Sequence, residues 1–314
     1  MKCFSKMFKI PFAFCFSIFQ RLYMKWCLML LCLLLQTFLQ AQPYIDVAAV
    51  RYQQSPDGGV LRRNFNQNGY RYAQAAVNLP LVLKDSSIVL VSPALEWWHL
   101  ESNAMPQLPQ NLYGMALPVA YVKPLRNNWT GTLLVVQRWN GSSGFNFNDR
   151  YQLGGAVLLA RKKSEALTYK FGLYYNREFF GHFFMPLAGI DWQVSLKLRL
   201  FGVLPGNLVL EKKASPSFYY GASFRATTTS YRFPNGANRA NNFVRIEDNT
   251  LQSFADYYLT KNIVLNAEAG HSFFRRYRIG TEAAAKKYFM EEKFNDNWLF
   301  RLSLLYRMRF DGRS

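Results

Sequence analysis

From Asn297 to Phe310 the chain reads NWLFRLSLLYRMRF. Its even positions are apolar without a break: Trp298, Phe300, Leu302, Leu304, Tyr306, Met308 and Phe310. Its odd positions are mostly polar: Asn297, Arg301, Ser303, Arg307 and Arg309. A period of two predicts a β-strand whose two faces meet different surroundings. An unbroken dry row with aromatic residues at both ends suits lipid on one side and a polar lumen on the other.

Similar stretches recur along the chain, and twelve strands are predicted: Tyr44–Gln54, Gly69–Leu83, Ile88–His99, Asn111–Lys123, Trp129–Asn140, Arg150–Arg161, Leu167–Glu178, Ala188–Phe201, Leu208–Phe233, Phe243–Leu259, Asn262–Tyr277 and Asp296–Phe310. The cleanest alternation runs through Ile190, Trp192, Val194, Leu196, Leu198 and Leu200. The weakest is Phe243–Leu259. Pro216 inside the long ninth stretch predicts a bulge or kink. Short connections (84–87, 124–128, 162–166, 202–207, 260–261) alternate with longer ones (55–68, 100–110, 141–149, 179–187, 234–242, 278–295). Outer-membrane barrels have short periplasmic turns and longer outer loops. Twelve strands with the N-terminus inside place every short turn inside. Pro205-Gly206 suits a type II turn, and Ser55-Pro56-Asp57-Gly58-Gly59 opens a loop.

Residues 24–42, MKWCLMLLCLLLQTFLQAQ, carry a Lys, an apolar run and a small Ala41. They read as a cleaved secretory signal peptide, too short to span a membrane as a helix. Residues 1–41 are assigned to the signal, with Met24 as the expected true start, and 42–314 to the barrel. The 17% aromatic content without a long apolar run after residue 41 suits strands diluted by alternation. Composition alone also suits a large soluble all-β protein; the export signal and the loop pattern favour the barrel. The four cysteines, Cys3, Cys15, Cys27 and Cys32, all precede residue 41, so the exported part has no disulfide or thiolate metal site. Net charge is +19; five of the 38 basic residues lie in 1–41, leaving 33 against all 19 acids. That balance favours anionic partners such as lipid headgroups or anionic solutes, and export makes nucleic acid an unsuitable one.

The stretches YQLGGAVLL (Tyr151–Leu159), KFGLYYNREFFG (Lys170–Gly181), PLAGIDW (Pro186–Trp192) and LFGVLPGNLVLE (Leu200–Glu211) resemble an uncharacterised outer-membrane β-barrel family of Bacteroidota, a domain of unknown function. The resemblance spans roughly Gln42 to Phe310. It implies fold and outer-membrane location, and no activity or functional residue. The four residues after Phe310 depart from the common barrel ending on an aromatic.

Two aromatic girdles are expected, an outer one of Trp97, Trp98, Trp139, Tyr175, Trp192, Phe273 and Trp298, and an inner one of Tyr44, Tyr121, Trp129, Tyr258 and Phe310. If the apolar rows face lipid, Arg138, Lys170, Lys197, Arg199, Arg225, Arg276, Arg301, Arg307 and Arg309 face the lumen, with fewer acids, Glu178, Asp191, Glu211 and Glu268. A basic ring in a pore favours anions; alternatively, these charges pair and fill the lumen. His99, His182 and His271 lack the serine spacing of a barrel phospholipase, and His271 is assigned to the girdle beside Phe273. Glu291-Glu292 reads as a solvated pair or a calcium bridge to lipopolysaccharide. Gly141-Ser142-Ser143-Gly144 reads as a loop tip. No phosphate loop, dinucleotide turn or calcium loop is present, and no cofactor or metal is expected.

The expectation is therefore an all-β, membrane-spanning antiparallel meander β-barrel in the outer membrane. It is read as a narrow passive channel or structural barrel with a basic lumen suited to small anionic solutes. Its expected partners are outer-membrane lipid, lipopolysaccharide and the barrel assembly machinery. Alternatives are a lipid-modifying enzyme, or an adhesin or receptor presenting its outer loops.

Overall fold

Alternating rows can bury backbone polar groups in lipid only if the sheet closes on itself. It does. The computed structural model describes residues 43–56, 68–102, 109–143, 148–234, 242–281, 288–293 and 296–310. The signal-peptide assignment lies outside them. Fourteen staves form the wall: β1 (Tyr44–Ser55), β2 (Asn68–Val77 with Leu79–Val82), β3 (Ile88–Val91 with Ala94–Ser102), β4 (Asn111–Pro124), β5 (Trp129–Gly141), β6 (Tyr151–Ser164), β7 (Leu167–Glu178), β8 (Gly181–Gln193), β9 (Leu198–Leu204), β10 (Asn207–Ser215), β11 (Phe218–Phe233), β12 (Asn242–Tyr258), β13 (Ile263–Thr281) and β14 (Tyr288–Lys293 with Trp298–Arg309). Each pairs antiparallel with the next, and β1 closes on β14 from Tyr44↔Arg309 to Gln54↔Phe300. Both ends of the described chain meet where the Phe310 amide donates to the Pro43 carbonyl, 2.9 Å away.

Two strands more than expected arise in one region. Phe179–Leu187, expected as a loop, is mostly strand β8. The stretch Ala188–Phe201 is broken by a turn at 194–197, where the Ser195 and Leu198 backbones bond each other. Leu196, in the cleanest alternation of the sequence, sits at that turn and is 95% exposed. Pro216 marks a turn between β10 and β11 rather than a kink. The extra pair of strands keeps both ends on one side. It also moves the Pro205-Gly206 turn to the long-loop end of the barrel, opposite to the expected side. The 83–87, 125–128, 165–166, 194–197, 216–217 and 259–262 connections share the other end, called the turn end below. There the Ser87 hydroxyl and amide both donate to the Asp85 carboxylate and hold it below its usual range.

The outer face is the apolar one. Val50, Leu95, Leu133, Val157, Leu173, Leu251, Phe300, Leu302 and Leu304 are all exposed, while their inward neighbours are buried or half-buried. No helix among the described residues is long and apolar enough to cross a membrane. A closed antiparallel wall with an apolar exterior crosses a bilayer by strands, and the chain is an outer-membrane barrel.

The core lies inside the barrel, toward the loop end. Tyr70, Trp98, Leu100 and Leu112 project inward from β2, β3 and β4 and pack against Tyr231, Phe233, Val244, Ile246, Tyr277 and Ile279. The last of these come from strand ends that have left the wall. Thr229–Phe233 of β11 is buried on both faces, so it touches lipid on neither. It leans across the barrel to β5: Arg232 bridges Gly141 in parallel, and the Ser142 amide donates to the Arg232 carbonyl at 2.8 Å.

Candidate functional site

The lumen is built in three levels. At the loop end, polar side chains tie the inward-leaning hairpin of β11 and β12 to the wall. The Ser230 hydroxyl donates to Glu178 at 2.5 Å and accepts from Gln152 at 2.9 Å. Asn140 donates to Thr229 and to the Ser230 carbonyl, both at 3.3 Å, and Glu178 also meets Arg138 at 3.6 Å. Tyr231 and Tyr72 both donate to Glu96, at 2.6 and 3.1 Å. Arg275, fully buried, meets Asp248 at 3.4 Å, donates to Ser55 and lies 4.7 Å over the Tyr70 ring. With the apolar core between them, these contacts fill the loop end of the lumen among the described residues.

At the turn end, Tyr44 turns its ring into the lumen beneath two guanidinium groups, Arg307 at 3.6 Å and Arg309 at 4.9 Å, with Phe201 at its edge. Arg307 bridges Asp46 and Asp256, each at 2.6 Å. Arg309 holds both oxygens of Glu211, at 2.9 and 2.6 Å. Arg199 forks onto Asp191 at 2.8 and 3.0 Å.

Between the two levels lies a polar chamber of about 370 Å³. Arg51, Arg225, Arg301 and Arg307 line it against Asp46, Asp256 and Glu268. Arg225 forks onto Glu268 at 2.7 and 3.1 Å. Arg301 donates to Gln53 and stands 3.8 Å from Glu268. The Ser223 hydroxyl, on the same wall, is buried without a hydrogen-bond partner. A larger hollow of about 500 Å³ is apolar and lies over Ala73 and Ala75 on the lipid-facing wall, beside Leu95, Trp97 and Trp139.

The sequence-predicted lumen residues Arg138, Lys170, Arg199, Arg225, Arg301, Arg307 and Arg309 sit on inward rows, as do Glu178, Asp191, Glu211 and Glu268. Two do not. Lys197 is exposed in the 194–197 turn. Arg276 faces outward toward Glu291, because a bulge at Phe274, with φ of 55°, shifts the β13 register and sends Arg275 inward instead. Sequence reasoning missed Arg275. It also missed the inward acids Asp46, Glu96, Asp248 and Asp256, which pair with or neighbour the arginines. The basic excess expected of the lumen is thereby nearly cancelled.

Of the girdle residues, Trp97, Trp139 and Trp298 face outward near the loop end. Trp97 donates to Asn111 at 3.1 Å, Trp139 packs on Tyr151, and Trp298 packs on His271, which also touches Phe273. Trp129 stands at the turn end against Phe171 and Arg161, and Phe310 follows the last strand there. Trp192 joins this turn-end set, contrary to its expected outer position, because β8 begins earlier and ends at Gln193. Trp98 faces the inner core, and Tyr44 and Tyr258 face the lumen, where Tyr258 accepts from Arg309 at 2.5 Å. Glu291-Glu292 falls on β14, while Gly144 and residues 57–59 lie outside the described residues.

The positive charge collects elsewhere. Lys84, Lys123, Arg126, Arg161, Lys162, Lys163, Lys197, Lys212, Lys213 and Lys261 stand on or beside the turn-end connections, and among the described residues Asp85 and Glu165 are the exposed or half-exposed acids within those connections. Most are exposed, and they form a basic collar around that rim.

The family model described as Domain of unknown function (DUF6268) matches residues 89–310. No curated protein matches the chain. Among solved structures, the chain is similar to the COG4313 outer membrane channel from Pseudomonas putida F1, at 11% identity over 83% of this chain and 94% of that one, with a TM-score of 0.46. It is also similar to the NanC porin, at 8% identity over 83% and 100% with a TM-score of 0.39. A third is the Pseudomonas putida toluene transporter TodX, at 9% identity over 84% and 89% with a TM-score of 0.32.

Proposed function

The chain belongs to the DUF6268 family, whose function is unknown, and from the lumen alone we propose that it is an outer-membrane channel for small polar solutes, closed in the state described. The observation that carries this reading is the chamber, a partly open polar space of about 370 Å³ among the lumen side chains. Buried arginines that only stabilised a wall would leave no such space. Four guanidinium groups against three carboxylates support a preference for small anions. The loop-end seal is a hairpin end rather than the wall, so it can move without breaking closure. The basic collar supports a turn end that meets anionic headgroups, and assembly from the periplasm by the barrel machinery, with lipopolysaccharide around the loop end, belongs to the same reading. Catalysis does not: His99 meets Asn111, His182 meets Tyr175, and His271 meets two aromatic rings.

The test is conductance of the full chain in planar bilayers. Expected are a low basal conductance with rare openings and a reversal potential favouring anions in a salt gradient. Deleting residues 230–245 across a Gly-Gly turn removes the seal and raises conductance at least tenfold. A cation-selective barrel sinks the anion assignment. A deletion variant that keeps heat-modifiable gel mobility yet stays silent favours the second reading, a structural barrel, which the dense ion pairing of Arg307, Arg309 and Arg225 supports.

A further inference from the structure

The wall is not of even height. β9 has 7 residues, fewer than the 9–11 or so that a spanning strand needs. The β9–β10 hairpin therefore closes at Pro205-Gly206 within the depth of the bilayer. Gly202 makes so tight a hairpin possible: its φ is 145°, and a Cβ there would stand 2.2 Å from the Asn207 carbonyl oxygen. The turn lies level with Ala188 of β8 and Arg225 of β11. Beyond it, toward the loop end, residues 181–187 pair only with β7. Residues 226–233 pair with β12; the Ala226 amide also bonds the Pro205-Gly206 turn at 3.2 Å, and nearer the loop end β11 reaches β5 at Asn140 and Gly141 and takes a hydrogen bond from the Phe179 amide on Ser230 at 3.3 Å. No ladder joins β8 to β11 among the described residues.

Irregular backbone and open sheet edges do not face hydrocarbon; at membrane depth they are buried in protein or line a water-filled cavity. The sequence is fitted to an edge here. Pro186 has no amide hydrogen to leave unpaired, and proline inside a sheet is confined to edges and bulges. The inward row of β8 beside the gap is also unusual. It carries Phe183, Met185 and Leu187, all half-buried, and no polar side chain, where the inward rows of the neighbouring staves mix apolar Tyr174, Phe201 and Val203 with Lys170, Asn176, Glu178 and Arg199. At the base of the gap, Gly202, Asn207 and the exposed Thr227 border both the Pro205-Gly206 turn and the polar chamber. The buried, unpartnered Ser223 hydroxyl belongs to the same chamber wall, two residues before Arg225.

We propose that the gap between β8 and β11 is a lateral port, through which an amphiphile with an acyl chain and a single anionic headgroup passes between the bilayer and the chamber. The proposal rests on the reading of the chamber as a solute site and names the class of solute. The chain slides along Phe183, Met185 and Leu187. The head, a carboxylate or phosphate, accepts from Ser223 and from Arg301, whose guanidinium has a side-chain amide as its nearest partner and Glu268 only at 3.8 Å. The surplus of one positive charge in the chamber sets the sign of the head.

Photolabelling of the full chain in phosphatidylcholine vesicles tests this. The probes are a diazirine-tagged sixteen-carbon fatty acid, the matching alcohol, and a phosphatidylglycerol carrying the same tagged chain. The expected result is label mapped to Met185, Leu187 and Thr227 from an anionic probe, displaced by untagged palmitate or phosphatidylglycerol, with the alcohol confined to outward residues such as Phe184. Whichever anionic probe enters identifies the source as free fatty acid or bilayer lipid. Leu187→Trp or Thr227→Trp, checked for heat-modifiable mobility, should cut the inner label about tenfold. Label from every probe restricted to outward residues, or equal inner labelling by acid and alcohol, overturns the proposal on the unaltered protein, whether or not either variant folds. Ion conductance without inner labelling leaves the channel standing and removes the port; inner labelling without conductance does the reverse.

Discussion

Arg275 and Arg276 are sequence neighbours with opposite surroundings. Arg275 is buried against Asp248 and Tyr70, while Arg276 is half-exposed beside Glu291. Removing one partner of a buried ion pair leaves an uncompensated charge, at about 3–5 kcal/mol, whereas an exposed pair contributes about 0–1 kcal/mol. Arg275→Leu should therefore lower the urea midpoint of the refolded barrel sharply, and Arg276→Leu should barely move it. Equal shifts would place the bulge wrongly. Strict alternation selects Arg276, and it fails at a bulge. A local signal was present: Phe273-Phe274 followed by Arg275-Arg276 is two apolar residues and then two basic ones, which no period-two row allows. Four lumen acids, Glu178, Asp191, Glu211 and Glu268, were legible from alternation, but which arginine each one meets was not. Arg225 and Glu268 are 43 residues apart, Arg309 and Glu211 98, and Arg307 and Asp46 261, so only barrel closure brings them together.

At the scale of the strand, period two was a sound guide to the wall and a poor guide to its turns. Trp192, Val194, Leu196 and Leu198 keep the alternation across the end of β8, the tight turn and the start of β9. Side chains in an open turn need no alternation, so its persistence there carried no structural information, and two strands were read as one. The consequence is measurable. Leu196→Arg, at the exposed turn, should leave assembly intact. Leu304→Arg puts a charge on the lipid face of β14, where about 2–4 kcal/mol is expected near the bilayer midplane. Heat-modifiable gel mobility of the membrane fraction reads both; equal impairment would mean that Leu196 lies in the wall. Ser303, beside Leu304, faces a packed lumen and is almost fully buried, so an arginine there would meet steric obstruction rather than open water.

At the scale of the whole barrel, charge was correctly counted from the sequence but could not be placed. The lumen pairs most of its bases, and the surplus stands on the turn-end rim. Alternation distinguishes the two faces of a strand but not its ends, and the collar lysines lie either in connections, as Lys84, Lys197 and Lys261 do, or at the turn-end tips of strands. A ring of exposed cations next to Trp129 and Trp192 sits where headgroups of one leaflet meet the barrel. Each lysine close to an anionic leaflet contributes about 1 kcal/mol, within a Debye length of roughly 10 Å at 0.1 M salt. In mixed vesicles, spin-labelled phosphatidylglycerol should therefore show a larger motionally restricted fraction around the barrel than spin-labelled phosphatidylcholine. Changing Lys84, Lys123, Lys163 and Lys197 together to Gln should remove most of that difference, and 1 M salt should weaken it in the unaltered protein. These four side chains lie outside the lumen, so the conductance of the seal-deleted barrel should keep its ion preference in the same variant. If the lipid preference survives both the substitutions and the salt, the collar does not bind headgroups, and its charge serves a soluble periplasmic partner instead.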